Sequence, residues 1–374
     1  MDPEVADAMR EASQFCVDIA ELQARASEII SEITGAEAGY VTSGAAAGLL
    51  LATAASVTGP DPGKMNRLPD TEGMKNEVII SRSQRNFYDH AIRSVGVKLV
   101  EVGIADRYSG AGVRDTEAWE IADAITERTA AVCYVANPHA LPHLDEVVEV
   151  AHRYSVPVIV DAAGQLPPRS NLRDFISQGA DLVAFSGGKA IGGPQSSGIL
   201  CGRRDLIMCA ALQHLDMDVL KRQWNPPKSL IDTSILPGAP HHGIGRPCKV
   251  GKEQIIGLLT ALERFAGGQL EVRSALWRNR IDELVAAFGN IPGVEFTIDV
   301  YSRPSEIPMA VLKLDAAVLG KTALDILLEL QQGNPPIQAN PSRLSEGIVL
   351  FGPVCMKLGE PETVALRLRE ILGA

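Results

Sequence analysis

The sequence predicts an α/β fold in which a mostly parallel sheet of about seven strands lies between layers of helices, followed by a smaller α+β domain. Two observations carry this prediction. Short apolar runs alternate with segments of helical spacing along most of the chain, as in folds built from strand–helix–strand units. Several of these runs, such as VPVIVD, are continuously apolar, as in strands that are buried on both faces of a parallel sheet.

The N-terminal part, residues 3–34, has apolar residues at helical spacing, and Pro3 suits the first turn of a helix. We therefore expect an amphipathic helix pair or one long helix there. Seven strands are then predicted by the runs AGYVT, EVIIS, KLVEV, AVCYV, VPVIVD, DLVAFS and GILCG. Segments such as LDEVVEVAHRYS supply the crossover helices between strands.

A Pro- and Gly-rich stretch, PGAPHHGIGRPCKVG at residues 237–251, precedes a change of pattern. Two long helical segments follow, then the weak strands VEFTI and PMAVLKL, and a helix closes the chain. The expected organisation has three parts, which are an N-terminal helical segment at 1–34, a large ligand-binding domain at 35–240 and a small C-terminal domain at 241–374.

The composition argues against several classes of protein. A formal charge of −11 disfavours nucleic acid or an anionic membrane as the main partner and favours a small-molecule ligand. The six cysteines include no C-x-x-C pair, and His241 and His242 are neighbours whose side chains point apart, so we expect no metal site and no disulfide framework. No apolar run reaches the roughly 18 residues of a membrane span, and the acidic N-terminus is unlike a signal peptide. We expect a cytoplasmic protein.

Two of the predicted strands end in residues that can carry chemistry, at the edge where ligands collect in a parallel sheet. Asp161 ends the strand VPVIV, where a helix-capping or turn aspartate is the alternative interpretation. Lys189 follows LVAFSGG within a glycine-rich stretch, which indicates that the backbone there folds closely against neighbouring atoms. A neutral lysine amine is the nucleophile that condenses with carbonyl groups, although a solvated surface lysine is the alternative.

The stretch VTSGAAAGLLLA at residues 41–52 predicts a strand, a Ser-Gly turn and an Ala-rich helix. Free backbone N–H groups at such a helix start form an anion site, and small side chains let a phosphate approach. Competing phosphate motifs are missing, since Ala190 stands where the Walker A motif needs Ser or Thr and no G-x-G-x-x-G follows the first strand. A mononucleotide kinase and a dinucleotide-dependent dehydrogenase are therefore disfavoured.

The order of a phosphate-binding helix start, a strand-end Asp161 and Lys189 resembles the large domain of a fold-type I pyridoxal-phosphate enzyme. The segments PVIVDAAGQLPP, GADLVAFSGGKAIGGPQSSGILCGRRDLI and GRPCKVGKEQIIGLLTALERF resemble the selenocysteine-synthase-like family, and its D-glucosaminate-6-phosphate ammonia-lyase branch in particular. The resemblance runs from about residue 3 to the C-terminus and is most specific over 156–207. It implies that the large domain binds pyridoxal 5'-phosphate.

The resemblance also implies a role for each matching residue. Lys189 would bond covalently to the cofactor aldehyde and move protons at the substrate, and Asp161 would keep the pyridine nitrogen protonated. Asn137 would contact the phenolic oxygen of the cofactor, with a turn residue before Pro138 as the alternative. The cofactor phosphate would be bound by four residues, Ser43, Gly44, Ala45 and Ser186.

Anionic groups of the substrate require cations, for which the planar fork of arginine is well suited. Four residues are candidates for this role, with ordinary surface charge as the alternative for each, namely Arg85, Arg246, Lys249 and Arg343. The residue that stacks on the cofactor ring is expected within SRSQRNFYDHAI, where Gln84, Asn86 and Tyr88 all remain candidates.

The implied activity is that of a lyase that abstracts an α-proton and eliminates a β-hydroxyl from a hydroxyamino acid or amino-sugar acid, with release of ammonia. A transferase, aldolase or racemase would share the first steps, and a non-catalytic binding or regulatory protein of this fold also remains open. Enzymes of this fold type complete their sites across a subunit interface, so we expect at least a homodimer. Family members carry an N-A-x-G-T segment before the P-E-V helix, whereas this sequence starts at Met1, so a variant with altered substrate handling is a further alternative.

Overall fold

The computed structural model describes residues 1–104, 115–299 and 307–374. The chain divides into two compact units, Met1–Gly267 and Gly268–Ala374. No helix in the described ranges combines the length and the apolar character that crossing a membrane requires.

The central sheet of the first unit contains the seven predicted strands. They are β1 Ala38–Thr42, β2 Glu77–Ser81, β3 Lys98–Val102, β4 Thr129–Val135, β5 Val158–Asp161, β6 Leu182–Ser186 and β7 Gly198–Gly202. Their order in space is β1-β7-β6-β5-β4-β2-β3. Neighbours from β6 to β3 pair in parallel, whereas β7 is antiparallel to both β6 and β1. The prediction of a mostly parallel sheet is therefore confirmed.

Helices cover both faces of this sheet. Those of the first unit are α1 Pro3–Ala12, α2 Ile19–Thr34, α3 Ala45–Thr58, α4 Pro62–Arg67, α5 Asp89–Arg93, α6 Ala118–Ala124, α7 Leu144–Arg153, α8 Asn171–Ser177, α9 Arg204–Leu212 and α10 Lys252–Arg264. Gly48 of α3 lies against Ala184 of β6, and Phe175 of α8 packs on Phe185 at a ring-centroid distance of 6.2 Å. Because successive strand residues point to opposite faces, α3 and α8 lie on opposite sides of the sheet.

The expected N-terminal helical segment is a pair, because the chain leaves helical conformation between α1 and α2. Asp18 begins α2 as its N-cap, accepting hydrogen bonds from the N–H groups of Ala20 and Glu21 at 2.7 and 3.1 Å. Such a cap satisfies donors that the first turn of a helix otherwise leaves without partners.

The open edge of β1 is covered by side chains of α2. The amide of Gln23 donates to the Val41 carbonyl at 2.8 Å and accepts from the Val41 N–H at 3.0 Å, as a neighbouring strand would do. The Ser27 hydroxyl accepts from the N–H of Gly39 at 2.9 Å, and Gly39 has no room for a side chain because Ile30 fills that space. The edge of β1 is therefore closed to pairing with another chain.

The second unit contains an antiparallel sheet of order β10-β9-β8. Its elements are α11 Leu270–Phe288, β8 Val294–Asp299, β9 Met309–Leu314, α12 Ala316–Leu319, α13 Ala323–Gln332, β10 Ile348–Phe351 and α14 Glu360–Leu372. The two predicted strands and the closing helix are present. The sequence analysis did not identify α13 or β10. Strand β10 is only four residues long, and its run IVLF shows no alternation of apolar and polar residues.

The boundary between the units differs from the expected one at residue 241. Helix α10 packs against α1 and α2, and Arg264 forms ion pairs with Asp2 and Glu4 at 3.4 and 3.2 Å, so residues up to 267 belong to the first unit. The chain leaves helical conformation at Gly268, whose φ of 106° favours glycine. The Pro- and Gly-rich stretch at 237–251 is a loop within the first unit.

Candidate active site

Asp161 is a buried carboxylate at the carboxyl end of β5. It lies in register with Ala184 of β6, and only 8% of its surface is exposed. The N–H of Ala163 donates to its Oδ1 at 3.1 Å. Burial raises the pKa of Asp161, while that hydrogen bond and the nearby charge of Lys189 act in the opposite direction. Within the described ranges no cationic side chain forms an ion pair with this carboxylate.

Lys189 lies three residues beyond the end of β6, in the hairpin loop that leads to β7. Its Nζ lies 3.9 Å from the position that a Cβ on Gly164 would take. The side chain is exposed, and among the residues that the structure describes none forms a hydrogen bond or an ion pair with its amine. The predicted amine without a local partner is present among the described residues, close enough for its charge to lower the pKa of Asp161.

The glycines around Lys189 are required by packing of the loop on itself. The Gly187 N–H donates to the Ser197 carbonyl and the Gly193 N–H donates to the Gly187 carbonyl, both at 2.9 Å. A Cβ on Gly188 would lie 2.7 Å from the Cα of Gln195, which is closer than atoms pack. The prediction of a closely folded backbone is correct here. Much of the close packing is between residues of the loop itself.

The start of α3, at the same edge of the sheet, presents backbone N–H groups that no side chain of the described residues caps. Gly44 is the N-cap, with φ of 152° and no capping side chain, and the first turn carries only methyl groups. A Cβ on Gly198 would lie 2.5 Å from the Gly44 carbonyl carbon, so glycine is needed at the start of β7. Thr42 and Ser186 flank Gly198 in register on its two neighbouring strands. The start of α3 and Ser186 thus lie at the same edge of the sheet.

These groups fit pyridoxal phosphate by their own chemistry. The uncapped start of a 14-residue helix offers N–H donors to a phosphate, with no side chain in the way. Asp161 is a desolvated carboxylate, which favours contact with a protonated ring nitrogen. Lys189 supplies an amine next to that carboxylate.

Residues after β2 and β4 differ in how much of their surface is buried. Asn137 is exposed, and its Oδ1 accepts from the His139 N–H at 2.9 Å, as the alternative turn interpretation predicted. Gln84 is 5% exposed, and its Oε1 accepts from the Val135 N–H at 2.9 Å. Tyr88 is 65% exposed. The choice of a ring-stacking residue among Gln84, Asn86 and Tyr88 stays open.

Arg85 and Arg343, two of the predicted substrate cations, have carboxylate partners, as Arg246 also does. Arg85 pairs with Asp89 at 2.6 Å and also with Glu101. Arg343, in the second unit, pairs with Glu346 at 2.6 Å. A role in substrate binding stays a prediction for Arg85 and Arg343. To bind a substrate anion, each guanidinium would have to leave its carboxylate partner or contact both groups at once.

Arg246 and Lys249 line a cavity of about 350 Å³ beside β1. Arg246 also pairs with Asp216. The walls include Tyr40 and His214, which sequence reasoning did not select because a lone tyrosine in a strand and a lone histidine after a helix carry no pattern. The cavity lining includes none of the residues predicted to bind the cofactor.

His242 approaches two carboxylates near this cavity. The sequence showed no further ligand beside His242, but the fold brings Asp216 and Asp218 to it, with all three ligand atoms within 4.8 Å of one another. All three residues are exposed, and Asp216 already accepts from Arg246. The expectation that the protein holds no metal stays a prediction.

A family described as SelA, L-seryl-tRNA selenium transferase, matches residues 3–223. The chain belongs to this family. A 5'-C-glycyluridine monooxygenase-decarboxylase from a Streptomyces species is 33% identical over 98% of this chain and 84% of its own length. The D-glucosaminate-6-phosphate ammonia lyase of Salmonella typhimurium is 32% identical over 99% of this chain and 90% of its own.

A solved structure of a D-glucosaminate-6-phosphate ammonia-lyase covers 100% of this SelA-family chain, with 31% identity and a TM-score of 0.80. The comparisons confirm the predicted family and the fold-type I architecture. They also confirm the predicted cofactor, so this member of the SelA family is a pyridoxal-phosphate-dependent enzyme.

Proposed function

We propose that this enzyme is a lyase that abstracts the α-proton and eliminates the β-hydroxyl of a hydroxyamino acid or amino-sugar acid, releasing ammonia. One observation carries the proposal. A lysine amine lies beside a buried carboxylate, Lys189 beside Asp161, in a chain that resembles an ammonia lyase over nearly its whole length. We also propose that the protein acts in the cytoplasm on a small molecule rather than a nucleic acid, in keeping with its charge of −11.

The residues at the carboxyl edge divide the work between holding the cofactor and moving protons. Ser186 and the N–H groups at Gly44 and Ala45 bind the phosphate, and Asp161 holds the proton on the ring nitrogen. When bound, the cofactor withdraws the electrons that the α-carbon gains as its proton leaves. The amine of Lys189 takes that proton and donates one to the departing β-hydroxyl, which leaves as water. The released enamine then hydrolyses to a keto acid and ammonia.

Arg246 and Lys249 are proposed to bind the carboxylate or phosphate of the substrate. Their cavity is lined by none of the cofactor-binding residues, so we propose that they act in a site that two copies of the chain build together. This extends the prediction of a homodimer. Arg85 and Arg343 stay candidates for the same role, but neither lines this cavity.

A second candidate activity follows from the relative that is 33% identical over 98% of this chain, whose name describes a monooxygenase-decarboxylase of 5'-C-glycyluridine. Both candidates break a bond to the α-carbon of an amino acid, and they differ in whether a proton or a carboxyl group departs. Transfer, aldol cleavage and racemisation start in the same way. A non-catalytic role would leave the amine of Lys189 unused.

Borohydride reduction of the holoenzyme tests the role of Lys189. We expect loss of the visible absorption of the lysine-bound cofactor and a mass-spectrometric adduct on the peptide that contains Lys189. Lys189→Ala should show neither signal, and Lys228→Ala, which changes a lysine that is 78% exposed, should behave like the unchanged enzyme. An adduct on another lysine would contradict the assignment.

A substrate panel then separates the candidate activities. D- and L-hydroxyamino acids with and without phosphate, and 5'-C-glycyluridine, would be incubated with the holoenzyme while ammonia, keto acid, carbon dioxide and oxygen uptake are measured. Release of ammonia and keto acid without oxygen uptake supports the lyase. Oxygen uptake with carbon dioxide release supports the second candidate, and ammonia release from no member of the panel would demote the lyase.

A further inference from the structure

A chain of two hydrogen bonds includes two residues that line the same cavity as Arg246 and Lys249. Tyr40 of β1 and His214, just after α9, are 5% and 9% exposed. The Tyr40 hydroxyl lies 3.0 Å from His214 Nδ1, and His214 Nε2 lies 2.9 Å from the Cys248 carbonyl oxygen. The chain therefore joins the sheet to the segment Arg246–Lys249.

The chemistry of the two ends fixes the tautomer of His214. A carbonyl oxygen only accepts, so His214 Nε2 carries the hydrogen and donates to Cys248. Nδ1 then has a lone pair and accepts from Tyr40, whose phenol keeps its proton because burial raises its pKa. Burial also lowers the pKa of His214, and the charge of Arg246 adds to this effect while the bond to Cys248 opposes it. The imidazole is neutral, with both ring nitrogens bonded.

The segment that carries both cations has further attachments to the end of α9. The Gly245 N–H donates to the Gln213 carbonyl at 2.9 Å, and a side chain on Gly243 would collide with Gln213. Arg246 pairs with Asp216 through its side chain. Among the attachments to the end of α9, the bond from His214 is the one that lies between Arg246 and Lys249 in sequence, so it anchors the backbone from which both cations project.

We propose that His214 is a positioning residue, whose hydrogen bond to the Cys248 carbonyl holds Arg246 and Lys249 in the arrangement that binds the anionic group of the substrate. This rests on the proposed function in one respect, the role of these two cations. His214 contacts the backbone between them and takes no part in the proton transfers assigned to Lys189.

Three substitutions separate positioning from a merely structural role. The amide nitrogen of His214→Gln reaches the place of Nε2 and keeps a donor for Cys248, whereas the shorter His214→Asn keeps a polar group near Tyr40 and loses that donor. Tyr40→Phe removes the hydroxyl and leaves the bond from His214 to Cys248 intact. If His214→Asn does not fold, His214→Leu replaces it, and unfolding temperatures are measured for all variants.

Inorganic phosphate is the probe, added to holoenzyme so that the cofactor already fills the start of α3. Trp224 lines the cavity, so its fluorescence should report phosphate binding, and Trp224→Phe should remove the signal. We expect His214→Asn to raise the Kd about 10-fold, as the loss of one hydrogen bond allows, with His214→Gln and Tyr40→Phe within about 3-fold of the unchanged enzyme. With a turned-over substrate, His214→Asn should raise KM and leave kcat within about 2-fold.

Equal Kd values for His214→Asn and His214→Gln would overturn the positioning role. Arg246→Ala and Lys249→Ala distinguish this failure from failure of the proposed function. If they abolish phosphate binding while the two His214 variants agree, only the positioning role is wrong. If they leave the Kd unchanged, the cations do not bind the anion, and the positioning role falls with that assignment.

Discussion

The buried carboxylate of Asp161 should favour cofactor binding but lower the stability of the apoprotein. Burial raises its pKa, so the folded chain holds a proton at pH values where the unfolded chain has lost it. Stability of the apoprotein therefore falls as pH rises above the ordinary value of 3.8, and at neutral pH the charged carboxylate is a net cost. A protonated ring nitrogen would offset this cost when the cofactor binds.

Asp161→Asn should therefore stabilise the apoprotein by about 1 kcal/mol while weakening its hold on the cofactor. Urea unfolding of the apoprotein measures the first effect, and loss of visible absorption on dialysis measures the second. Asp123→Asn is the control, because Asp123 is exposed on α6, and it should change neither. A destabilised Asp161→Asn apoprotein would contradict the account.

His214 should make the protein sensitive to acid. Its lowered pKa means that the unfolded chain binds a proton just below the ordinary value of 6.5 whereas the folded chain does not. The stability associated with this residue is complete above pH 6.5 and declines as pH falls toward the folded value. Urea midpoints between pH 8 and pH 5 should fall less steeply in His214→Gln than in the unchanged protein. His241→Gln, at an exposed histidine, should keep the original slope.

At the scale of elements, close approach at the start of β7 links the sheet to the start of α3, where we propose that the phosphate binds. Gly198→Ala would force a methyl group against the backbone of Gly44, and we expect a loss of about 1–3 kcal/mol together with weaker cofactor binding. Gly238→Ala is the matched control, because a Cβ there meets no atom within 4 Å. Its unfolding free energy should change by less than about 0.5 kcal/mol. Equal effects at both positions would contradict the packing argument.

The hydrogen bonds from α2 to the edge of β1 can be tested by substitution of Gln23. Gln23→Met removes both hydrogen bonds to Val41 and leaves that backbone unsatisfied, so we expect a loss of about 2 kcal/mol and more aggregation on partial unfolding. Urea unfolding and light scattering measure the two effects. Gln14→Met, at an exposed position, should change neither, and an aggregation rate that stays constant in Gln23→Met would show that the edge is protected by something else.

At the scale of the whole molecule, the parts that could be predicted are those that the sequence encodes locally. Short apolar runs identified all seven strands of the central sheet, and the positions of Asp161 and Lys189 after two of these runs predicted that both lie at one edge. Pairings between distant residues could not be predicted. Tyr40 and His214, which form one such pair, are 174 positions apart in sequence. Arg85 pairs with Glu101, which lies on the next strand. The unit boundary depends on packing of α10 against α1, which leaves no signal in composition.

The proposed two-copy site predicts behaviour of the assembled protein. Light scattering should give a mass of at least about 80 kDa, twice that of the 39.9 kDa chain. Co-expression of Lys189→Ala with Arg246→Ala chains should restore ammonia release to about a quarter of the unchanged level, because random pairing makes half of the dimers mixed and each mixed dimer has one complete site. Either variant alone should be inactive. No recovery in mixed dimers would place all of these residues in one chain's own site.

Because β7 is antiparallel to β6, Lys189 lies on a connection between the two strands that contains no crossover helix. Parallel neighbours need a crossover of a dozen or more residues, usually with a helix, whereas antiparallel neighbours are joined at one edge. Between Ser186 and Gly198 the chain has only the 11 residues 187–197, and both of their ends are fixed in the sheet. Most surface loops accept added or deleted residues over evolutionary time, but this one is packed on itself through the Gly187–Ser197 and Gly193–Gly187 hydrogen bonds, which an added or deleted residue would disrupt. Changes in its length should therefore be rare among related chains that still use the lysine.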